Sequence, residues 1–247
     1  MPTALSPAEL LLIRHGESAW NHEQRFTGWA DVGLTAAGVG QMRELGDRLR
    51  GEGVSIDRVF SSLLRRCVDS VDVLLDAMQA PAVPRTLDWR LNERHYGALT
   101  GRSKPGAVAE FGAEAVRTWR RSYRAVPPPL PLSELAKIAP LASTLSEHPQ
   151  AGTLPEAESL EQTAWRVAQC WPEVIAPALS PGRRLAVVGH GNSLRALVMQ
   201  LEELGEAEVS GLEIANGEMR RYAALEDGGW ARREIWRPDR HALSQIL

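Results

Sequence analysis

The stretch Leu10-Leu11-Leu12-Ile13-Arg14-His15-Gly16-Glu17-Ser18-Ala19-Trp20-Asn21 decides how the chain is read. Its first four residues form a short continuous apolar run, which predicts a strand buried on both faces of a sheet. Arg14-His15-Gly16 follow where such a strand emerges into a loop, and ligand sites of open α/β sheets gather at the carboxyl ends of strands. Arginine supplies a permanent planar cation suited to phosphate or carboxylate oxygens. The adjacent histidine can serve as nucleophile, general base or metal ligand near neutral pH. Gly16 permits the close approach of another backbone or a ligand. A loop histidine beside a solvated arginine would read the same way, so the triplet alone decides little.

A second stretch changes the balance. Leu185-Ala186-Val187-Val188 is another buried-strand run, followed by Gly189-His190-Gly191-Asn192-Ser193 and a helical pattern over 194–204. Two apolar strands that each end in His-Gly, 175 residues apart, predict two imidazoles meeting at one sheet edge.

The 247 residues suffice for one large α/β domain, 1–247, and an apolar fraction of 44% supports a substantial core. Net charge is −3, so the surface as a whole does not advertise nucleic-acid or anionic-membrane binding, and any anion site must be a local concentration of positive charge. Cys67 and Cys170 make neither a disulfide framework nor a zinc spacing, and no run approaches a membrane span. The expectation is a reduced, soluble, cytoplasmic protein.

Other elements follow from pattern. Thr35 to Gly51 reads as a helix with Thr35 as N-cap and Met42, Leu45 and Leu49 on one stripe. Val54 to Phe60 reads as a strand, and Ser61-Ser62 as the cap of a helix running to about Met78. Arg65 and Arg66 fall in that helix's first turn, where they oppose its dipole unless an anion is present. Val83 marks a short strand, and Asp88 to Gly101 an irregular loop. Ala107 to about Arg124 reads as one helix with Arg117, Arg120, Arg121 and Arg124 on one face. On an acidic domain such a face is a solvated surface or an anion funnel rather than a nucleic-acid footprint. Residues 126–155 carry seven prolines and read as a loop or lid. Ser159 to Pro177 is helical, with Leu160, Trp165, Val167 and Trp171 available for packing. Residues 219–236 read as a terminal hairpin turning at Gly228-Gly229.

Several blocks together resemble the histidine phosphatase superfamily and, within it, the cofactor-dependent phosphoglycerate mutases. They are RHGESAWN at 14–21, RFTGWADVGLTAAG at 25–38, FSSLLRRC at 60–67, RLNERHYGALTG at 90–101, WRRSY at 119–123 and GHGNSLRAL at 189–197. The resemblance implies a mostly parallel central sheet flanked by helices, a helical or loop lid at about 102–158, and a homodimer or tetramer. It implies that His15 becomes phosphohistidine and that Arg14, Arg66 and His190 bind the transferring phosphoryl group. Asn21 and the Gly191-Asn192 backbone would add donors, and Glu93 would exchange a proton with the substrate hydroxyl. Thr27, Gly28, Tyr96, Lys104, Arg120 and Arg121 would hold the substrate carboxylate and the non-reacting phosphate. The cofactor implied is a 2,3-bisphosphoglycerate primer with no metal. His22, His148 and His241 have no metal-ligand spacing, and His95 is assigned no role beyond a structural one.

The chain departs from the family in the segment Pro131 to Thr153, in Pro155-Glu156-Ala157-Glu158-Ser159-Leu160, in Ile214-Ala215-Asn216-Gly217, and in the eleven residues that follow Trp236. These departures lead to the expectation of an enzyme that hydrolyses more bisphosphoglycerate than its relatives. Two other readings stay open: a phosphatase of the same superfamily acting on another small phosphate ester, and a non-catalytic sensor of a phosphate ligand.

Overall fold

Strand β1, Glu9–Arg14, lies inside a six-stranded sheet because its apolar run has no polar face to turn to water. The computed structural model describes residues 6–142 and 154–239. The other strands are β2 Arg58–Ser61, β3 Arg85–Leu87, β4 Arg184–Gly189, β5 Met219–Ala224 and β6 Trp230–Trp236, in the order β3-β2-β4-β1-β5-β6. The pairings from β3 through β1 are parallel, and β5 and β6 are attached antiparallel. The fold is an α/β domain with a mostly parallel sheet flanked by helices, as the family resemblance implied.

Alternation along the strands builds two cores. Leu10, Leu12, Phe60, Leu185, Val187 and Tyr222 face the helices Leu160–Cys170 and Gly191–Leu201. Leu11, Ile13, Val59, Ala186, Val188 and Met219 face the helices Ala36–Gly51 and Arg65–Ala77. Each Val, Leu, Ile, Phe or Met side chain among them, fully removed from water, stabilises the fold by about 1.5–3 kcal/mol. The β1–β4 register sets Ile13 opposite Val188 and Arg14 opposite Gly189, so both strands end level. That alignment is what brings the residues after them together.

The expected helix at 35–51 forms with Thr35 accepting from the Gly38 amide, and Met42, Leu45 and Leu49 are buried. The hairpin forms as Met219–Ala224 and Trp230–Trp236. Other boundaries differ. Ser61 belongs to β2, and the helix starts at Arg65 after Leu64, which offers no side-chain cap; Ser62 is therefore free for another task. Val54 and Ile56 pack on the core from a loop, so the strand is shorter than its apolar pattern. The short strand falls at Arg85–Leu87 rather than at Val83, and the 88–101 loop contains the 3-10 turns Trp89–Leu91 and Gly97–Leu99. The single helix expected from Ala107 is two, Lys104–Phe111 and Ala113–Arg121, because Gly112 turns the chain at φ 84°. Within the proline-rich stretch, Leu132–Ile138 is helical and packs Leu135 against Trp29. Trp165 is not a packing residue; it stands 68% exposed.

Residues 143–153 of the expected lid, the leader 1–5 and the end 240–247, with His148 and His241, lie outside the described residues. Cys67 and Cys170 are free and buried. Among the described residues no helix is long and apolar enough to cross a membrane.

Candidate active site

His15 and His190 leave the ends of β1 and β4 and meet edge to face, with ring centroids 5.0 Å apart. The His15 amide donates to the Gly189 carbonyl at 3.1 Å, which ties the two strand ends together. Partner chemistry assigns the tautomers. A carbonyl can only accept, so the 2.6 Å contact from His15 Nδ1 to Gly16 O places the proton on Nδ1 and leaves Nε2 with its lone pair. Arg66 Nε donates to His190 Nδ1 at 3.1 Å, so His190 Nε2 carries the proton and donates to Ser62 Oγ at 2.7 Å. Both rings are buried. Burial, then the Arg66 and Arg14 charges, hold the His15 imidazole well below its ordinary range. His190 is lowered by burial, Arg66 and His15. Both rings are therefore neutral at pH 7, the form in which an imidazole is a nucleophile.

The loop that carries His15 is fixed by a close approach. A Cβ on Gly16 would stand 2.3 Å from the Gly38 carbonyl, and one on Gly38 would stand 2.1 Å from the Glu17 carbonyl. Gly16 serves the close backbone approach that the sequence allows. Asn216 Nδ2 adds bonds to the His15 carbonyl at 3.2 Å and to Asn21 Oδ1 at 3.1 Å.

Two arginines surround the histidines. Arg66 is buried, its guanidinium held by the carbonyls of Ala30 at 3.0 Å and Gly28 at 2.8 Å as well as by His190. Its place in a helix's first turn is thus satisfied by main chain, and Gly28 takes φ 51° to present its carbonyl there. Arg14 donates to the Ile214 carbonyl at 2.6 Å, while its Nε is buried without a partner among the described residues.

Glu93 is buried beside them. Its Oε1 accepts from Arg94 N at 2.8 Å, Asn192 N at 3.1 Å and Asn192 Nδ2 at 3.0 Å. The Asn192 amide therefore holds the carboxylate, where the resemblance implied a donor to the phosphoryl group. Asn192 also reaches Tyr96 Oη at 3.0 Å. The Glu93 loop is anchored by Arg166, which donates to the carbonyls of Arg90, Asn92 and Glu93 and pairs with Glu158 at 2.6 Å in near-complete burial. Glu158 in turn accepts from the His95 amide at 2.8 Å. His95 accepts from Gly97 N at 3.0 Å, a structural part as expected.

These side chains line one cleft in two parts. An inner chamber of about 150 Å³ is walled by His15, Arg14, Arg66, Asn21, Thr27, Gly28, Glu93, Tyr96, Lys104 and Arg120. An outer chamber of about 580 Å³ shares Arg14, Glu93, Tyr96 and Arg120 with it and adds Arg121, Gly191 and Asn192. His190 lies behind His15. Among the described residues Arg120 makes no hydrogen bond or ion pair. The Lys104 ammonium is held below its ordinary range by burial and by the Arg120 and Arg14 charges. An anion between these groups would relieve their mutual repulsion. Of the four-arginine face, only Arg120 and Arg121 reach the cleft; Arg117 pairs with Glu114 at 2.7 Å, and Arg124 pairs with Glu206.

The sequence reading assigned no site role to Ser62, Asn216, Arg166 or Glu158. Ser62 stood where a helix cap was expected, Asn216 and Glu158 lay in blocks noted only as departures from the family, and Asn216, Arg166 and Glu158 act through partners 60 or more positions away. Among the described residues no three His, Cys, Asp or Glu side chains form a group that could hold a metal ion.

Comparison with known proteins agrees with the geometry. The family model for the histidine phosphatase superfamily (branch 1) matches residues 10–137 and 131–235. The chain is 43% identical over 206 residues to a 2,3-bisphosphoglycerate-dependent phosphoglycerate mutase of Hamiltonella defensa subsp. Acyrthosiphon pisum (strain 5AT), spanning 83% of this chain and 82% of that one. Among solved structures, a mycobacterial glucosyl-3-phosphoglycerate phosphatase superposes with a TM-score of 0.70 at 22% identity, over 94% of this chain and 99% of that one. Bacillus stearothermophilus YhfR gives 0.69 at 20% identity, over 91% and 95% of the two chains. These two likenesses speak for the fold alone. With both family blocks matched across the chain and two histidines joined at the ends of β1 and β4, the protein belongs to branch 1 of the histidine phosphatase superfamily and is a relative of the bisphosphoglycerate-dependent phosphoglycerate mutases.

Proposed function

We propose that this histidine phosphatase superfamily enzyme interconverts 3-phosphoglycerate and 2-phosphoglycerate through a phosphohistidine on His15. One observation carries the reading: a single small chamber holds a neutral histidine whose Nε2 keeps its lone pair together with two cations, Arg120 and Lys104, that have no side-chain partner among the described residues. A three-carbon acid phosphate carries negative charge at both ends and complements that distribution. The buried, unpartnered Arg14 Nε and Thr27 Oγ1 fit the same anion. The mutase relative, alike over most of both chains, supports the assignment, and a cytoplasmic location goes with it.

Phosphoryl transfer depends on positioning and electrostatics. His15 Nε2 attacks phosphorus, Arg14 and Arg66 offset the charge on the equatorial oxygens, and Glu93 exchanges a proton with the substrate oxygen that leaves or attacks. Burial of His190 behind His15 keeps water from that side. 2,3-Bisphosphoglycerate, when bound, supplies the phosphoryl group that primes His15. Arg14, Arg120, Arg121 and Lys104 are the residues that would hold it.

A phosphatase reading has one observation in its favour: the outer chamber, nearly four times the volume of the inner one, gives water room beside Glu93. The altered segment from Pro131 points the same way, toward a mutase with more hydrolysis than its relatives. The deciding experiment incubates the purified protein with 3-phosphoglycerate, with and without catalytic 2,3-bisphosphoglycerate, and follows 2-phosphoglycerate and free phosphate together. Primer-dependent 2-phosphoglycerate is expected. Free phosphate without isomerisation would make it a phosphatase, and absence of any acid-labile phosphohistidine would leave only a phosphate-ligand sensor.

A further inference from the structure

The outer chamber is larger than a three-carbon substrate needs and differs from the inner one in chemistry. The inner walls offer mostly cations and donors. The outer walls mix donors with acceptors: Arg121 and Arg237 face Glu213 and Glu218, and Leu212 and Ala215 add apolar surface between them. A site built only for a second phosphate would gain nothing from a rim carboxylate, which repels an anion. Glu213 nevertheless sits there, bonded to Arg121 at 3.0 Å, a contact that keeps it ionised. Hydroxyl groups suit such a wall, since each can donate to a carboxylate and accept from a guanidinium.

The rim is also built rather than incidental. Glu218, with no exposure, accepts from Arg220 Nε at 2.8 Å, from the Ala215 amide at 3.1 Å and from Arg237 Nε at 2.8 Å. Arg237 is thereby clamped through Nε, and its two terminal amino groups have no partner among the described residues. A buried carboxylate spent on orienting a cation at the cleft mouth orients it for a ligand.

We propose that the outer chamber is a second subsite for a hydroxyl-rich group, so that the enzyme also hydrolyses phosphate monoesters of polyhydroxy acids longer than three carbons. The inference rests on His15 as the phosphoryl acceptor. The N–P bond forms at Nε2 as the ester O–P bond breaks and the leaving oxygen takes the proton of Glu93. Water then forms a new O–P bond as the N–P bond breaks, and its proton returns to Glu93. Inorganic phosphate and the polyhydroxy acid leave, and His15 is neutral again.

The test uses the full chain with 6-phosphogluconate as the six-carbon probe and 3-phosphoglycerate as the three-carbon reference. Phosphate release and isomerisation are followed in the wild type, Arg237→Ala, Ala215→Phe and a His15→Ala control. The wild type is expected to release phosphate from 6-phosphogluconate. Loss of one charge-assisted hydrogen bond in Arg237→Ala should cut kcat/KM for that substrate by about tenfold or more. Ala215→Phe, which fills the chamber, should cut it as far. Either variant should change the 3-phosphoglycerate reaction by less than about twofold. That reaction also reports folding; if Ala215→Phe fails it, Arg237→Ala decides alone. Turnover of 3-phosphoglycerate with no phosphate from 6-phosphogluconate above the control overturns the second subsite and spares the mutase reading. Equal losses on both substrates also overturn it. Failure to form phosphohistidine with either substrate overturns both.

Discussion

His15 commits its Nδ1–H to the Gly16 carbonyl, and that bond leaves Nε2 as the nitrogen that would react in the proposed phosphoryl transfer. His15→Ala should abolish acid-labile labelling by radioactive bisphosphoglycerate while leaving the fold intact by circular dichroism. Glu93→Gln removes the carboxyl group that would exchange a proton with substrate but keeps the shape, and on the proposed mechanism kcat should fall by about 10²–10⁴. The buried imidazoles also tie stability to pH. Burial holds His95 down to about 4, and His15 and His190 are lowered too, mainly by burial. On unfolding each regains its ordinary value near 6.5, so the unfolded chain binds more protons below that pH. Stability is therefore lost as the pH falls from 6.5, by about 1.4 kcal/mol per pH unit for each such histidine. Urea titrations between about pH 6 and 5 should show that slope reduced by about one such increment in His95→Asn, whose amide oxygen can still accept from Gly97 N. An unchanged slope would mean that His95 is charged in the folded protein. At this scale the sequence revealed the residues that sit next to one another at a strand end, such as Arg14 and His15. It did not reveal Ser62 or Asn216, whose partners come together only when distant segments close.

Elements were legible where pattern and packing coincide. The run Leu10 to Ile13 declares itself because its side chains fill the core on both faces of the sheet. Val54 and Ile56 mislead because apolar side chains can enter the core from a loop without joining a ladder. Gly112 breaks a helix whose arginine face runs on past it, since a left-handed residue costs glycine little. The contact between Gly16 and Gly38 is an element-scale device as well, because it seats the His15 loop on the start of the Ala36–Gly51 helix. Gly38→Ala must push backbone against backbone. It should cost about 1–3 kcal/mol in urea denaturation and lower the rate of His15 phosphorylation more than it raises KM. Wild-type stability and rate in this variant would show that the two segments can part freely.

For the molecule as a whole, one buried pair ties the Leu160–Cys170 helix to the loop that carries Glu93 into the cleft. Arg166, on the Leu160–Cys170 helix, holds three carbonyls of the Glu93 loop, and Glu158 completes the pair. Removing one partner of such a pair leaves a buried charge alone. Arg166→Met should cost about 3–5 kcal/mol, and Glu158→Leu in the same chain should restore part of it. Catalysis should not recover with stability, since the Glu93 loop would still lack its anchor; full recovery would refute that role. No local pattern announces this link, because it spans more than 70 positions between a loop and a helix.

The position of β1 has a consequence for how the protein is made. β1 leaves the ribosome before the other described strands, yet both of its neighbours in the sheet, β4 and β5, lie 175 or more positions further along. At about 5–20 residues per second, roughly 9–35 s of synthesis separate Arg14 from its partner Gly189. Throughout that interval Leu10 to Ile13 have no strand to pair with, and they form an apolar edge open to a holding chaperone or to a neighbouring nascent chain. Catalytic competence is accordingly among the last properties to appear, and a chain stopped before β4 is a stoichiometric burden on the cell's folding machinery rather than a partial enzyme.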